Sequence, residues 1–212
     1  MSARPNSAFA ELAGTRNWRF ALRTYLSGTV ANRWLRDHAN VWRPGDRVVL
    51  SVADGEGRNS VWLAQHGLAV DAFDISELAV QKARRLAAAR GARVNFAVMD
   101  CNATSWPEAL YDGVAAIFVQ FAEPAARRPL FANMVKTLKP GGTLLLQGYT
   151  PKQLQYGTGG PPRRSHLHRA SLLRAAFAGM RIRELCAYEE RIAEGSGYRG
   201  RSALVEMVAQ RP

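Results

Sequence analysis

The sequence predicts an α/β fold in which a doubly wound, mostly parallel sheet of seven strands has an antiparallel last strand and N-terminal capping helices. Three observations predict this fold. Short β-branched runs alternate with helical patterns through the centre of the chain. A glycine-bearing turn joins the first of these runs to an amphipathic helix. The last two strand-like runs are joined by the short segment EGSGYRG, which is typical of an antiparallel pair.

The individual elements follow from hydrophobic periodicity and from residues that begin or end helices. Strands are predicted at 47–52, 69–74, 93–99, 113–119, 143–149, 182–192 and 202–209. Helices are predicted before position 46, at 58–66, 76–90 and 124–138, and around 171–178. Ser76 is the expected N-cap of the helix that Gly91 ends. An apolar stripe through Leu78, Val80 and Leu86 is expected to face the sheet.

Composition limits the function classes. The net charge of +12 comes mostly from arginines that are scattered along the chain. A scattered excess favours anionic partners in general, and genomic base composition explains it equally well, so it does not indicate a nucleic-acid groove. Cys101 and Cys186 stand in no metal-ligand or disulfide pattern, which predicts two reduced thiols in the core and no metal site.

No segment predicts membrane insertion or export. The longest apolar stretch, 114–119, is much shorter than the roughly 18 residues of a membrane-spanning helix. The opening MSARPNSAFAELAG lacks the compact apolar segment of a signal peptide. These features predict a cytoplasmic protein that does not enter a membrane.

The strongest local signal is RVVLSVADGEGRNSVWLA, residues 47–64, in which a buried strand, a tight turn and a helix follow one another. Gly55 and Gly57 are expected to let the backbone pass close to a ligand, where a Cβ atom would collide with it. The free N–H groups at the start of the helix face the same ligand. A Gly-x-Gly pair alone is a weak signal, but its position between strand and helix predicts a binding site.

The next two strand ends carry acidic residues. Asp74 lies about 20 residues beyond the glycines, where a carboxylate can accept from both ribose hydroxyls of an adenosine. The alternative is that Asp74 caps the helix that follows Ser76. Asp100 ends the third strand, where its carboxylate can accept from an adenine amino group. The third glycine of the nicotinamide fingerprint is replaced in residues 58–60, which disfavours a pyrophosphate-containing cofactor.

Six segments of the chain together resemble small bacterial class I S-adenosylmethionine-dependent methyltransferases: GEGRN, FDIS, MDCNA, YDGVAAIFVQF, LKPGG and QGYTPKQLQYGTGGP. The branch is the one related to tellurite-resistance and thiopurine methyltransferases, and the resemblance extends from Trp18 to the C-terminus. It implies a Rossmann-like fold and S-adenosylmethionine as the cofactor. We expect one domain over 1–212, with a helical cap (1–45), a cofactor-binding core (46–150), and an acceptor loop with the closing strands (151–212).

The resemblance also implies which residues contact the cofactor. The expected contacts are the backbone of Ala53, Gly55 and Gly57, the ribose partner Asp74, the adenine partners Asp100 and Cys101, the neighbouring Asp54, Asn59 and Ile75, and Phe118 and Gln120 near the transferred methyl group. The chain departs from the family at Ser51, where an acidic residue is usual, and at Ala53, where glycine is usual. Asp54 is a candidate to replace the missing carboxylate near the methionine ammonium.

Methyl transfer from a sulfonium is an in-line displacement, so the protein mainly aligns acceptor, methyl and sulfur in a dry pocket. The dispersed positive charge and the GTGGPPRR segment, which can form a lid over a compact pocket, favour a small acceptor. We expect it to be anionic or of the thiol or chalcogen type, and such an acceptor needs no strong base. The candidate catalytic residues are His166 or His168 as a base, Tyr149, and Arg163 with Arg164 as an anion holder. The candidates for the wall of the acceptor pocket are Trp18, Tyr25, Phe121, Tyr149 and Tyr156. Ordinary surface or packing roles are the alternative for each of them.

Three other functions compete with a small-molecule methyltransferase. An RNA or other nucleic-acid methyltransferase fits the charge, but IFVQF lacks the Asp/Asn-Pro-Pro-aromatic motif of enzymes that methylate exocyclic base amines. Cys101 lacks the preceding proline of cytosine-C5 methyltransferases. A nicotinamide oxidoreductase is disfavoured by the missing glycine. A non-catalytic nucleotide-binding module remains an alternative, because the chain departs from the family at Ser51 and Ala53. The expected partner is a small molecule, with nucleic acid and membrane disfavoured and a monomer or homodimer as the assembly.

Overall fold

The computed structural model of the chain describes residues 20–21, 24–43, 48–102, 106–195 and 197–212. The strands are β1 (Val48–Val52), β2 (Ala69–Asp74), β3 (Asn95–Val98), β4 (Tyr111–Ile117), β5 (Leu138–Tyr149), β6 (Arg181–Glu194) and β7 (Tyr198–Gln210). The helices are α1 (Arg33–His38), α2 (Arg58–Gln65), α3 (Glu77–Ala89), α4 (Pro124–Thr137) and α5 (Ala170–Ala176). Short 3₁₀ turns occupy Ala39–Val41, Pro151–Gln155 and Arg164–His166.

The strands form one seven-stranded sheet in the order β3-β2-β1-β4-β5-β7-β6. All neighbouring pairs are parallel except those of β7, which is antiparallel to both β5 and β6. The predicted α/β class and the antiparallel last strand are therefore confirmed. The chain passes from β1 to β2 on one side and returns to β4 on the other, so a crevice opens at the carboxyl ends of β1 and β4.

Helices cover both faces of the sheet. On one face, α4 and α5 pack on the sheet through buried Leu130, Met134 and Leu173. On the other face, Trp34 and Leu35 of α1 are buried with β-sheet residues and with α2. The expected helical cap is therefore present as α1 in its described part, while Trp18 lies outside the described residues.

Some element boundaries differ from the predictions. β4 stops at Ile117, two residues early, because Phe118 has a φ of +58°, which does not continue a strand. β5 begins directly at Leu138, where α4 ends, and the Gly141-Gly142 pair lies inside it. The apolar stripe of α3 was predicted wrongly at Leu78, which is exposed, because the buried face runs through Val80, Ala83 and Leu86 instead.

Neither cysteine forms a disulfide, but only Cys101 is buried; Cys186 lies exposed on β6, so its expected core position was wrong. Within the described ranges, no group of three His, Cys, Asp or Glu side chains is arranged to hold a metal ion. In the same part of the chain, no helix has the length and apolar character needed to cross a membrane.

Candidate functional site

The candidate site begins at the turn between β1 and α2, at the carboxyl edge of the sheet. Three of its residues have positive φ angles: Ala53 (+48°), Gly55 (+63°) and Gly57 (+87°). Glycine adopts such angles without the penalty that a Cβ atom brings. Ala53 therefore occupies a position where glycine would be the least strained residue, and nothing in the structure explains the alanine.

The two glycines of the turn serve different purposes. A Cβ atom on Gly57 would lie 2.7 Å from the Cβ and 2.8 Å from the Cα of Ala83, so this glycine is needed for the close packing of α3. Packing against α3 therefore requires glycine at this position, and the expected contact of the Gly57 backbone with a ligand stays a prediction. Among the described residues, a Cβ atom on Gly55 would meet only the Phe20 ring, at 4.0 Å. Gly55 is thus the glycine whose open side leaves space next to the turn.

Asp54 is held between two serine hydroxyls. Ser51 Oγ donates to Asp54 Oδ1 at 2.7 Å, and Ser60 Oγ donates to Asp54 Oδ2. Burial of the carboxylate raises its pKa, and the two hydroxyl donors act against that rise. Ser51, where an acidic residue is usual in the resembling family, therefore positions the acidic residue three places later.

Asp74 connects the turn to the start of α3. Its Oδ2 accepts from the Gly55 N–H at 3.1 Å, and its Oδ1 accepts from the Ser76 N–H at 2.9 Å. The predicted N-cap of α3 is confirmed, because Ser76 Oγ accepts from the Ala79 N–H at 3.2 Å. The Asp74 carboxylate is buried at the edge of the sheet, so both roles weighed for it in the sequence are compatible with its position.

A cavity of about 220 Å³ lies beside this turn, between the ends of β2 and β3 and the first turn of α4. Four of the predicted site residues line it: Ala53, Ile75, Asp100 and Cys101. Its other walls are mainly apolar and include Phe73, Met99, Phe121 and Ala122. The structure therefore brings three separate strand ends to one pocket, as the sequence predicted.

The floor of this cavity is fixed by contacts around Cys101. The Trp106 indole Nε1–H donates to the Cys101 carbonyl oxygen at 3.2 Å, and the Trp106 ring packs edge-on against Phe73 with a centroid separation of 5.2 Å. Asp100 Oδ1 accepts from the Asn102 N–H at 2.9 Å, which fixes the loop after β3. The pocket is therefore held in shape by the protein's own hydrogen bonds.

Phe118 and Gln120 lie at the end of β4, but in different environments. The Phe118 ring stacks on Tyr149 with a centroid separation of 4.7 Å and lies parallel to Tyr198 at 6.2 Å. The Gln120 side-chain amide donates to the Tyr149 carbonyl at 2.9 Å and accepts from the Tyr149 N–H at 2.5 Å. Gln120 therefore holds the end of β5 in place with both of its polar atoms.

Tyr149, a predicted catalytic candidate, is almost fully buried at the end of β5. Its hydroxyl has no hydrogen-bond partner among the described residues. Burial raises its pKa well above the ordinary value, so the hydroxyl stays protonated at neutral pH. A Cβ atom on Gly160 would lie 2.9 Å from the Tyr149 ring, so the GTGG segment closes over it. The protonated Tyr149 hydroxyl is therefore enclosed between β5 and the GTGG segment, and a catalytic role for it stays a prediction.

The other catalytic candidates, Arg163 and His166, surround one carboxylate. Arg163 Nη1 lies 2.8 Å and His166 Nε2 lies 3.0 Å from Glu123 Oε1. Ser165 Oγ donates to Glu123 Oε2 at 3.0 Å. These partners, Arg163 first, lower the pKa of Glu123 to about 2. We call these four residues the Glu123 cluster; Glu123 itself also lines the cavity beside the turn.

The sequence did not reveal a set of contacts that hold residues 24–32, which we call the N-terminal strap. Glu56 Oε2 accepts from the Leu26 N–H at 2.6 Å, and its Oε1 lies 2.6 Å from Lys82 Nζ. Asn59 Oδ1 accepts from the Asn32 N–H at 3.0 Å. Asn59, predicted to contact the cofactor, therefore points its carbonyl oxygen at the strap. The one available signal was that GEGRN places polar side chains where a helix begins on the sheet.

A second ion pair, between Arg58 and Glu194, lies next to the contacts that hold the N-terminal strap. Arg58 Nη2 lies 2.6 Å from Glu194 Oε2 of β6, and Arg58 Nη1 donates to the Ser27 carbonyl at 3.1 Å. Both side chains are largely buried. The residue after the second glycine of the turn is thus used to join the strap to the far edge of the sheet.

The GTGGP segment owes its conformation to Gln153. This buried side chain donates from Nε2 to Thr158 Oγ1 and to the Gly159 carbonyl, both at 3.0 Å. Its Oε1 accepts from the Ala203 N–H of β7 at 2.8 Å. A Cβ atom on Gly159 would lie 2.7 Å from the Tyr198 ring. The glutamine and the glycines of this motif therefore build the loop next to the candidate site.

Comparison with known proteins finds a family resemblance in the middle of the chain. Residues 49–142, from β1 into the start of β5, match a family model described as a methyltransferase domain. The matched residues include the turn, Asp74, the cavity and the end of β4, whereas the loop after β5 and the last two strands lie beyond them. No relative was found among curated proteins.

Solved structures share the fold of this chain over most of its length. TehB from Haemophilus influenzae has a TM-score of 0.71 at 20% identity, with 85% of this chain and 62% of that chain covered. A SAM-dependent methyltransferase from Methanosarcina mazei has a TM-score of 0.66 at 18% identity, covering 86% and 98%. The cyclase SpnF has a TM-score of 0.74 at 16% identity, covering 100% and 99%. Because SpnF is named as a cyclase, the shared fold does not by itself fix the reaction.

Proposed function

We propose that this chain transfers the methyl group of S-adenosylmethionine to a small acceptor that is anionic or of the thiol or chalcogen type. The observation that carries the proposal is that Ala53 of the turn, Ile75 after β2 and the Asp100–Cys101 strand end line one pocket. These residues lie in the part of the chain that matches a methyltransferase domain, and Asp74, next to Ile75, accepts from the Gly55 N–H of the turn.

The described residues fit this cofactor in three respects. Gly55 leaves its side of the turn open, and Asp74 presents a buried carboxylate next to it, where ribose hydroxyls can donate. The apolar cavity lined by Ile75, Cys101 and Phe121 has the walls that a flat base requires, with Asp100 at its edge. Asp54 offers a carboxylate whose pKa is raised by burial, so a nearby ammonium group would stabilise its charged form.

When bound, S-adenosylmethionine supplies an electrophilic methyl group on a sulfonium. The residues of the chain position it and exclude water. Gly55, Asp54 and Asp74 hold the amino-acid and ribose parts. The stacked Phe118 and Tyr149 rings form a rigid apolar wall beside the end of β4. Because Tyr149 stays protonated, we assign it no proton-transfer step, which agrees with an acceptor that reacts as an anion.

Label transfer tests the proposal. The purified protein is incubated with methyl-labelled S-adenosylmethionine and, separately, small thiols, chalcogen oxyanions and total RNA. We expect label in the thiol or chalcogen product, and we expect Asp74→Ala to abolish most of it at low cofactor concentration. Transfer to RNA would make the chain a nucleic-acid methyltransferase. Cofactor binding without transfer to any of these acceptors would contradict the proposed acceptor class.

A further inference from the structure

A second concave site lies on the α4–α5 face of the sheet. It is a groove of about 850 Å³ between the first turns of α4, the segment 164–169 and α5. Four arginines stand along it: Arg127, Arg128, Arg164 and Arg169. We propose that this groove binds a small amphipathic anion, a phosphate carried on an apolar body, and that it does so independently of the cofactor pocket.

The positive charge of the groove is not balanced by the protein. None of the residues that line it is acidic. Among the described residues, no carboxylate lies within ion-pair distance of Arg128, Arg164 or Arg169. Guanidinium groups gathered in this way repel one another, and an anion between them removes the repulsion. Their planar arrays of N–H donors match phosphate oxygens in pairs.

Arg127 differs from the other three because it is partly buried and anchored. Its Nη1 donates to the Ser165 carbonyl at 2.6 Å, which fixes the guanidinium at the wall of the groove. Burial lowers its pKa, and Glu123 acts against that effect. Beneath the groove, the imidazole of His168 is buried, and neither ring nitrogen has a hydrogen-bond partner among the described residues. Burial and then the charge of Arg127 lower the His168 pKa to about 3, so the imidazole is neutral at neutral pH.

The floor of the groove is apolar, which indicates that the ligand has an apolar part as well as a charged one. Phe131, Leu167 and Leu172 line it, together with alanines of α4 and α5. The Phe131 ring is fixed against Phe177 with a centroid separation of 4.9 Å. A bare phosphate would leave these side chains exposed to water, whereas an apolar body would cover them. The positive charge of the arginines and the apolar side chains of the floor together therefore indicate an amphipathic phosphate rather than an inorganic ion.

The groove is distinct from the cofactor pocket, although the two share a wall. The first turn of α4 separates them: Glu123 and Ala126 face the pocket, while Pro124 and Arg127 face the groove. Arg163, with its charge paired to Glu123, does not line the groove, and Arg164 does. Of the two arginines first considered for anion binding, Arg164 is therefore the one placed to bind this ligand.

Calorimetric titration with dodecyl phosphate below its micellar concentration tests the proposal. We expect saturable binding, at least tenfold tighter than that of inorganic phosphate, dodecanol or dodecyltrimethylammonium. The variant Arg128→Gln/Arg169→Gln, at two exposed positions, should weaken binding of dodecyl phosphate at least tenfold. Arg174→Gln is the matched control, since Arg174 is exposed on α5 but does not line the groove.

Three results would overturn the proposal. Equal binding of dodecyltrimethylammonium would show mere adsorption to apolar surface. A loss of binding free energy in Arg128→Gln/Arg169→Gln that is no more than twice the loss in Arg174→Gln would show an effect of net charge alone, since the double variant removes two charges and the control removes one. Binding of RNA that the double variant loses, without binding of dodecyl phosphate, would assign the groove to a polymer. Because binding is read directly, each of these results is independent of whether the chain transfers methyl groups.

Discussion

Asp74 links two backbone amides that belong to different elements, Gly55 in the turn after β1 and Ser76 at the start of α3. A carboxylate that accepts from two N–H groups is held in one orientation.

Asp74→Ala should weaken binding of S-adenosylhomocysteine by about 1–3 kcal/mol, since buried ribose hydroxyls would lose a charged acceptor. The measurement is calorimetric titration of folded protein. Asp71→Asn is the control, because Asp71 lies on the same strand but faces Tyr111 and Asn95. An unchanged dissociation constant in Asp74→Ala would place the ribose elsewhere.

Gly57 and Gly55 give a paired prediction, because only Gly57 packs against a helix. Gly57→Ala should lower the free energy of unfolding by about 1–3 kcal/mol, since its Cβ atom overlaps Ala83 and the backbone of α3. Gly55→Ala should cost only about 1 kcal/mol for its positive φ while weakening S-adenosylhomocysteine binding more than Gly57→Ala does. Denaturant unfolding and calorimetry separate the two effects. Equal stability losses would refute the assignment.

His168 gives a pH prediction. Its pKa is lowered from 6.5 to about 3 in the folded chain, so between these values the unfolded chain binds a proton that the folded chain does not. Stability should therefore fall as the pH drops through this range, by up to about 1.4 kcal/mol per pH unit. His168→Leu should make the decline shallower, whereas His66→Gln, at an exposed position, should not. Urea unfolding at several pH values measures this slope, and parallel slopes for wild type and His168→Leu would count against it.

At the scale of elements, the N-terminal strap is fastened to the cofactor turn by residues of the turn itself. The Glu56 carboxylate accepts hydrogen bonds from the Leu26 and Ser27 N–H groups, and Arg58 donates to the Ser27 carbonyl. The strap and the turn are therefore held as one unit, and a change in the turn is passed on to the segment that covers it.

Glu56→Gln should lower the free energy of unfolding by about 3 kcal/mol, because the largely buried Lys82 ammonium would lose its charged partner and keep only the Thr24 carbonyl. Hydrogen exchange at the amides of Leu26 and Ser27 should become faster than in Glu77→Gln, a control at an exposed position of α3. If exchange in the strap is the same in both variants, Glu56 does not fasten it.

The elements themselves were largely predictable, because they depend on local patterns. The alternation of strands and helices, the Ser76 N-cap and the antiparallel last pair all follow from short segments of sequence. The early end of β4 was not predictable, because a φ of +58° at Phe118 is stabilised by its stacking on Tyr149, a residue of another strand.

At the scale of the whole molecule, the pocket was predictable and the contacts around it were not. Parallel strands place their carboxyl ends on one edge, so Gly55, Asp74 and Asp100 had to approach one another. The Arg58–Glu194 pair joins residues 136 positions apart, and nothing local in the sequence relates them. The same holds for Arg163 and His166, whose shared carboxylate Glu123 lies at the start of another helix. The division of 1–212 into cap, core and acceptor loop stays a prediction.

The most direct test of the central claim is a calorimetric comparison of S-adenosylhomocysteine with NAD on the intact chain. The account predicts saturable binding of S-adenosylhomocysteine to one site and no detectable binding of NAD. The reasons are that Ala83 of α3 occupies the space beside Gly57, and that residues 58–60 lack the third glycine that a pyrophosphate requires. Tight binding of NAD together with no response to S-adenosylhomocysteine would contradict it.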